Sequence, residues 1–317
     1  MAIKRYRATK DTTIVNAYEP NWQTRGTGSN MGMADVMEVF SVYGRISSAS
    51  QELSRVLVQF PTTTITSDRT AGTIPASGSV SFYLRLFNAQ HSKTVPKDYK
   101  IVALALSQSW QEGVGLDLEN YKDVTNGNTG ANWMSASNTT GWTDYQGIRL
   151  VGGSSITSST DYIYEQTLET GLEDLDIDIT PLVESWLAGT IANNGVLVKL
   201  SASYEASASQ DYANRDNAVI YNPTGATKSY YTKRFFARGT QYFYKRPVIE
   251  ARWNSSRKDD RGNFYYSSSL APAADNLNTL YIYNYVRGAL TNIPAIGSGS
   301  ILVSLYSGSS APEGSKL

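Results

Sequence analysis

Apolar and polar residues alternate along much of this chain. In Val80-Ser81-Phe82-Tyr83-Leu84-Arg85-Leu86-Phe87, one face carries Val80, Phe82, Leu84 and Leu86, and the other carries Ser81, Tyr83 and Arg85. A period of two is the signature of a strand with unlike faces. The same reading predicts strands over Val36 to Tyr43, Arg55 to Phe60, Ile101 to Leu106 and Val196 to Leu200. Turn-forming clusters such as Asn193-Asn194-Gly195 and Asn222-Pro223-Thr224-Gly225 punctuate them. Strands so closely spaced predict a mainly β chain folded as a sandwich or barrel.

One segment departs from that period. Leu182, Val183, Trp186 and Leu187 repeat at helical spacing. Asp178 or Thr180 can cap the helix, Pro181 suits its first turn, and Gly189 can close it. This predicts one short helix that plugs an end of the sandwich or crosses between its sheets. Asp123 to Thr160, rich in Asn, Thr, Ser and Gly, reads as long loops along one edge, with Trp133 and Trp142 embedded. Beyond about Asn254 a charged, turn-like stretch precedes two further candidate strands, Leu280 to Val286 and Ile301 to Tyr306. Residues 1–250 are therefore expected to form the main domain, and 251–317 a small β unit that needs a partner surface or more chain.

Composition narrows the chemistry. Lys plus Arg and Asp plus Glu both total 28 of the 317 residues, so the net charge is zero and no global field favours nucleic acid. Only 18% of residues are charged, and 22 are Tyr, a balance suited to wet strand faces rather than helix surfaces. The absence of cysteine removes disulfides, thiolate metal sites and cysteine nucleophiles. The basic start, Met1 to Arg7, leads into no apolar run, so a secretory signal is not expected. No stretch approaches the roughly 20 apolar residues of a membrane helix. The expectation is a protein made and kept soluble in the cytoplasm, unless it leaves by another route such as lysis.

The order of motifs over the first 255 residues resembles the DNRLRE-type β-sandwich modules, a family that includes alginate-binding-like carbohydrate modules. The pieces are Ser54 to Phe60, Ser81 to Asn88, Trp110-Gln111-Glu112-Gly113, and Asp178-Ile179-Thr180-Pro181 through Trp186 and Gly189 to Asn193-Asn194-Gly195. Lys233-Arg234-Phe235-Phe236 and Arg246-Pro247 fit the closing strands, although Lys233-Arg234 departs from the family's Ser-Arg-Glu element. The resemblance implies a jelly-roll-like sandwich and a non-catalytic role, with no particular ligand. Asp11-Thr12-Thr13-Ile14 and Arg25 to Gly32 are more loosely similar to structural proteins of marine tailed phages.

Candidate chemistry is sparse. His91 is the sole histidine and has no Gly-x-Ser-x-Gly elbow to serve, so it reads as an exposed turn residue. Glu173, Asp174, Asp176 and Asp178 alternate with Leu175, Ile177 and Ile179, which is simply a strand with an acidic outer face; calcium or a glycosidase pair are the sharper alternatives. Trp133, Trp142 and Tyr145 could stack on sugar rings from the loops, or anchor those loops to the body. Basic and aromatic residues mix over Lys228 to Arg238 and Tyr242 to Arg246, which suits single-stranded nucleic acid, edge protection, or an acidic neighbouring subunit. Arg5 and Arg7, within a basic N-terminal arm, and Tyr281, Tyr283 and Tyr285, on one strand face, are candidate interface residues.

Taken together, the residues predict a jelly-roll-like antiparallel β-sandwich with one short helix and a smaller C-terminal β unit. No catalytic set, metal or cofactor is expected. The leading functional expectation is a virion structural protein of a tailed phage, in its head, neck or tail, whose partners are other virion proteins and copies of itself. The alternative is a carbohydrate-binding module that attaches to surface glycans or acidic polysaccharide.

Overall fold

The computed structural model describes residues 1–19, 21, 23, 25–44, 50–90, 95–116, 130–144, 146–208, 219–256, 269–277, 279 and 281–293. The chain begins with β1 (Ala2–Arg7), β2 (Lys10–Val15), β3 (Val36–Gly44), β4 (Ser50–Gln59), helix α1 (Thr62–Thr70), β5 (Ser81–Leu86) and β6 (Tyr99–Ala105). It continues through β7 (Trp142–Thr143), β8 (Arg149–Leu150), β9 (Ile163–Leu168), β10 (Leu175–Asp178), helix α2 (Thr180–Leu187), β11 (Val196–Leu200), β12 (Tyr230–Phe236) and β13 (Val248–Trp253). Two main sheets result, and the fold is mainly β and sandwich-like. The small sheet has the order β1-β13-β5-β10, and the large one β12-β3-β4-β11-β6-β9 with β2 also on β4. Their strand pairs are antiparallel. The residues fall into two compact units, Met1–Asn254 and Ser255–Leu317.

The inner faces follow from alternation. Phe82, Leu84 and Leu86 of β5 meet Val56 and Val58 of β4, Ile101 and Ala103 of β6, and Val196 and Val198 of β11 in one buried cluster. Both helices connect the two sheets, α1 from β4 to β5 and α2 from β10 to β11. Ile65 of α1 and Leu182, Val183 and Trp186 of α2 enter the same cluster. Ile179 is the N-cap of α2, while the Asp178 carboxylate accepts the Thr180 N–H at 2.9 Å. At the other end, the Gly189 N–H bonds to the Trp186 carbonyl at 3.2 Å with a left-handed φ of 72°, where a side chain would be strained.

Helix α1 has no sequence signal of that kind. Its residues Thr-Thr-Thr-Ile-Thr-Ser-Asp-Arg-Thr bury only Ile65. The hydroxyls of Thr66, Ser67 and Thr70 fold back onto the carbonyls four residues earlier, at 3.0–3.1 Å. Tertiary ties hold it in place. Arg69 grips Glu184 of α2 through two bonds of 2.6 and 2.9 Å, and Asp68 accepts both Lys4 Nζ and Tyr6 Oη of β1 at 2.9 Å.

Side chains also finish the ladders where strands diverge. β3 pairs with β4 only over Ser41 to Gly44, because β2 takes the rest of that edge. Along the gap, the Ser54 hydroxyl donates to the Glu38 carbonyl and accepts the Phe40 N–H, both at 2.8 Å, and Thr13 Oγ1 accepts the Glu38 N–H. Between the sheets, the Gln166 carboxamide of β9 donates to the Asp174 carbonyl at 2.9 Å and accepts the Asp176 N–H at 2.8 Å. One amide thus ties an edge strand of the large sheet to an edge strand of the small one.

The large sheet is buried on its outer face too. Ile14, Leu53, Leu57, Val102, Leu104 and Leu197 form a second cluster there beneath Trp110, Ala131, Trp133, Ala136 and Trp142. In the second unit, a hairpin pairs β14 (Asn284–Val286) with β15 (Ala289–Thr291). Its turn needs positive φ at both Arg287 (52°) and Gly288 (78°), the twist that suits a two-residue hairpin. Tyr281 and Tyr283 precede that strand instead of sharing its face with Tyr285, and Ile301 to Tyr306 lies outside the described residues.

Burial on both faces has a direct test. Leu57→Ala, on the outer face of β4, is expected to lower unfolding free energy by about 2–5 kcal/mol in urea titrations. A solvated outer face would give a loss of only about 0.5 kcal/mol.

Candidate functional site

The loop-rich segment builds upward from the second cluster. The Trp133 and Trp142 side chains are fully buried. Trp142 Nε1 donates to the Asn132 carbonyl at 2.8 Å, and Trp110 Nε1 to the Asn194 carbonyl at 2.9 Å. Neither Trp133 nor Trp142 offers an open ring face on which a sugar could stack. Both rings face the apolar outer side of the large sheet, which would otherwise lie open to water, and they anchor the loops. Tyr145 and His91 lie outside the described residues.

Asn30 holds the rim of this region. Its Nδ2 donates to the Glu112 and Ala131 carbonyls at 2.8 and 2.7 Å, while its Oδ1 accepts the N–H groups of Gly32 and Gly115. A Cβ on Gly115 would sit 1.7 Å from the Asn30 carbonyl oxygen, so the backbones can meet only at glycine. No sequence argument singled out Asn30; its place in a Gly-rich stretch, between Gly28 and Gly32, was the available signal.

Three charges are enclosed on the same outer face. Arg55 of β4 binds Glu205 through Nε and Nη2 at 3.2 and 3.1 Å and donates Nη1 to the Gly152 carbonyl at 2.8 Å. Lys199 of β11 reaches Glu205 at 2.9 Å. Burial alone would raise the Glu205 carboxyl, but Arg55 and Lys199 outweigh it and hold it below the usual carboxylate range. Above Arg55 opens a cleft of about 890 Å³ whose walls include Ser107, Asp144, Ile156 and Ile220. Two of the polar groups in its wall are committed: Ser107 pairs with Ser154, and Asp144 accepts the N–H groups of Gln146 and Ile148 at 2.8 Å.

The acidic row is likewise tied down. On the outer face of the small sheet, Arg252 bonds Asp176 and Glu250 at 2.8 and 2.7 Å, Arg85 bonds Asp174 at 3.2 Å, and Arg5 bonds Glu250 at 2.8 Å. Burial works to raise the Glu250 carboxyl, yet its bonds from Arg252 and Arg5 leave it lowered. Among the described residues, no group of three or more His, Asp or Glu could hold a metal ion. Arg5 and Arg7, expected in a docking arm, instead belong to β1, which pairs residue for residue with β13. The strand ladder takes up the backbone that a free arm would have needed.

Two further buried charges escaped sequence reading. Lys233 of β12 donates its ammonium to Asn88 Oδ1 (2.6 Å) and to the carbonyls of Gly171 (3.0 Å) and Glu173 (2.7 Å), which satisfies all its donors. Burial lowers it to about 8, against the opposing pull of Glu173 and Asp174. Asp11 accepts the Arg238 N–H, its own N–H goes to Glu112, and its Oδ1 has no partner among the described residues. Burial pushes the Asp11 carboxyl up to about 7; the Arg238 N–H pulls it down, and the Glu112 carboxylate adds to the rise.

The mixed basic and aromatic segment separates into two parts. Its first half is β12, whose Tyr230, Lys233 and Phe235 point inward. Its second half, in the turn before β13, exposes Tyr242, Phe243 and Tyr244. In the second unit, Tyr281 and Tyr285 are exposed and Tyr283 is half-buried.

These features define a mainly β, sandwich-like protein whose buried charges serve as ties between strands and loops. No protein-family model matches the chain, and no curated protein matches it in sequence.

Two experiments follow. Arg55→Met leaves Glu205 buried with Lys199 alone and is expected to cost about 3–5 kcal/mol of stability in denaturant titration. Folding raises the Asp11 carboxyl from 3.8 to about 7, so the native state binds more protons than the unfolded chain across that window. The Asp11 contribution is therefore full below the window and lost as pH rises through about 7. Asp11→Asn is expected to become progressively more stable relative to the parent as pH is raised across that window. A constant difference between the two proteins would contradict this.

Proposed function

We propose that this chain is a non-enzymatic structural protein of a tailed-phage virion, in the head, neck or tail, and that it works through contacts with its neighbours. The observation that carries the reading is the way polar chemistry is divided. The buried charges Arg55, Lys199, Glu205, Lys233 and Glu250 are spent on internal ties, while large apolar and aromatic side chains stand uncovered. Leu270, Leu277, Ile282 and Val286 of the second unit are exposed, as are Tyr242 and Tyr244 of the first. Covering such surface with a neighbour removes apolar area from water, a gain that works against the cost of ordering the partners. A cysteine-free, Tyr-rich β chain that resembles phage structural proteins at Asp11 to Ile14 and Arg25 to Gly32 supports the virion as the setting. The carbohydrate-binding alternative loses its footing with Trp133 and Trp142 inside the second core.

The test is mass spectrometry of gradient-purified phage particles from the source of this gene, quantified against the major capsid protein. A fixed stoichiometric ratio is expected, and absence from the particles would refute the proposal.

A further inference from the structure

The turn between β12 and β13 gathers cations and rings in one place. Arg246 donates Nε and Nη2 to the Thr240 carbonyl at 3.2 and 3.0 Å, and the Lys245 N–H bonds the Tyr242 carbonyl at 2.8 Å, closing a short 3-10 turn over Phe243–Lys245. The Arg7 guanidinium of β1 lies 3.7 Å from the Phe243 ring centroid, and that of Arg246 lies 5.4 Å away. Tyr244 packs edge-on against Phe243 at 5.5 Å, and Tyr242 packs on Phe236 at 5.4 Å. Lys245 stands 5.4 Å over the Phe87 ring. The rings are nevertheless open to solvent, with Tyr244 76% exposed and Tyr242 55%.

Most other described arginines of the sandwich face carboxylates: Arg5 and Arg252 meet Glu250, Arg85 meets Asp174, Arg234 meets Glu38, and Arg238 meets Glu112, while Arg25 is taken up by carbonyls and the Tyr18 hydroxyl. Arg7, Lys245 and Arg246 form no ion pair with any described residue. A preformed turn with exposed aromatic rings and unpaired cations has the makeup of an interface anchor, because little side-chain freedom is left to lose on binding.

Resting on the assembly reading above, we propose that the turn at Tyr242–Arg246, together with Arg7, docks a carboxylate-rich protein surface on a neighbouring subunit. Carboxylates supply the charge that Arg7 and Lys245 lack, Arg246 lying also in the field of the buried Asp11, and the flanking rings give desolvated contact area. A nucleic-acid strand fits less well. The Glu112 carboxylate borders the turn through Arg238, and Asp174 and Glu250 border it through Arg85, which stacks on Phe87 at 5.0 Å. A phosphate chain that continued beyond the three cations would meet those acids, whereas a compact acidic cluster would not.

The full chain can be titrated by fluorescence anisotropy with a labelled peptide carrying a compact cluster of three consecutive glutamates and, in parallel, with a labelled oligodeoxythymidine of equal charge. The peptide is expected to bind, and to bind less tightly as salt is raised. Tyr244→Ala and Lys245→Ala are each expected to weaken it about tenfold. Tyr244→Phe, which keeps the ring, should retain most of the affinity. Failure of the peptide to bind, tighter binding of the oligonucleotide, or unchanged affinity in both alanine variants would overturn the proposal. This readout uses purified protein, so it is separate from the presence of the chain in virions.

Discussion

Burial of the large sheet on both faces is the constraint on which the rest of the structure depends. An antiparallel sheet ordinarily turns one face to water, but here β4, β6 and β11 have apolar residues on both sides. The outer side needs a cover, and the segment between β6 and β9 supplies it with Trp110, Trp133 and Trp142. Enclosure then dictates the electrostatics. Arg55 and Lys199 lie on that outer face, and each would be costly in the interior without the Glu205 carboxylate between them. The loops are therefore part of the core, and their glycines and Asn30 are fixed by close packing.

That organisation shapes what the protein can do. Long loops on a rigid sandwich are a common place for ligand sites. Among the described residues of these loops, the tryptophan rings point inward and polar groups bond to one another. Among the described residues, large exposed rings and apolar side chains stand at the turn between β12 and β13 and in the second unit. The proposed role through contact between surfaces rests on this division, since such contacts need shape, rings and charge without any reacting group.

Much of the fold was legible in the sequence because period-two patterning reports burial directly. The strands at Val36, Ser81 and Val196 and the helix after Ile179 lie where apolar spacing and capping residues put them. Helix α1 was not legible, since Thr-rich segments lack a stripe and its order comes from Arg69–Glu184 and the contacts to Asp68. The double burial had a signal that alternation alone hides. Val56-Leu57-Val58, Ile101 to Leu106 and Val196-Leu197-Val198 are unbroken apolar runs, the mark of a strand covered on both sides. Read that way, the same runs put the tryptophans inside. Lys233 and Asp11 gave no such sign, because a charged residue in sequence does not announce the carbonyls or carboxylates that will meet it in space.

Hydrogen–deuterium exchange of the full chain, resolved by peptide mass spectrometry, tests the central claim most directly. If the loops form a second core, the amides of Ala131, Trp133 and Gly152, bonded to Gln111, Thr27 and Trp133 carbonyls, will be protected to a degree approaching that of β4 and β11. Rapid exchange across residues 130–156, with protection confined to the sheets, would contradict it and return the outer face of the large sheet to solvent.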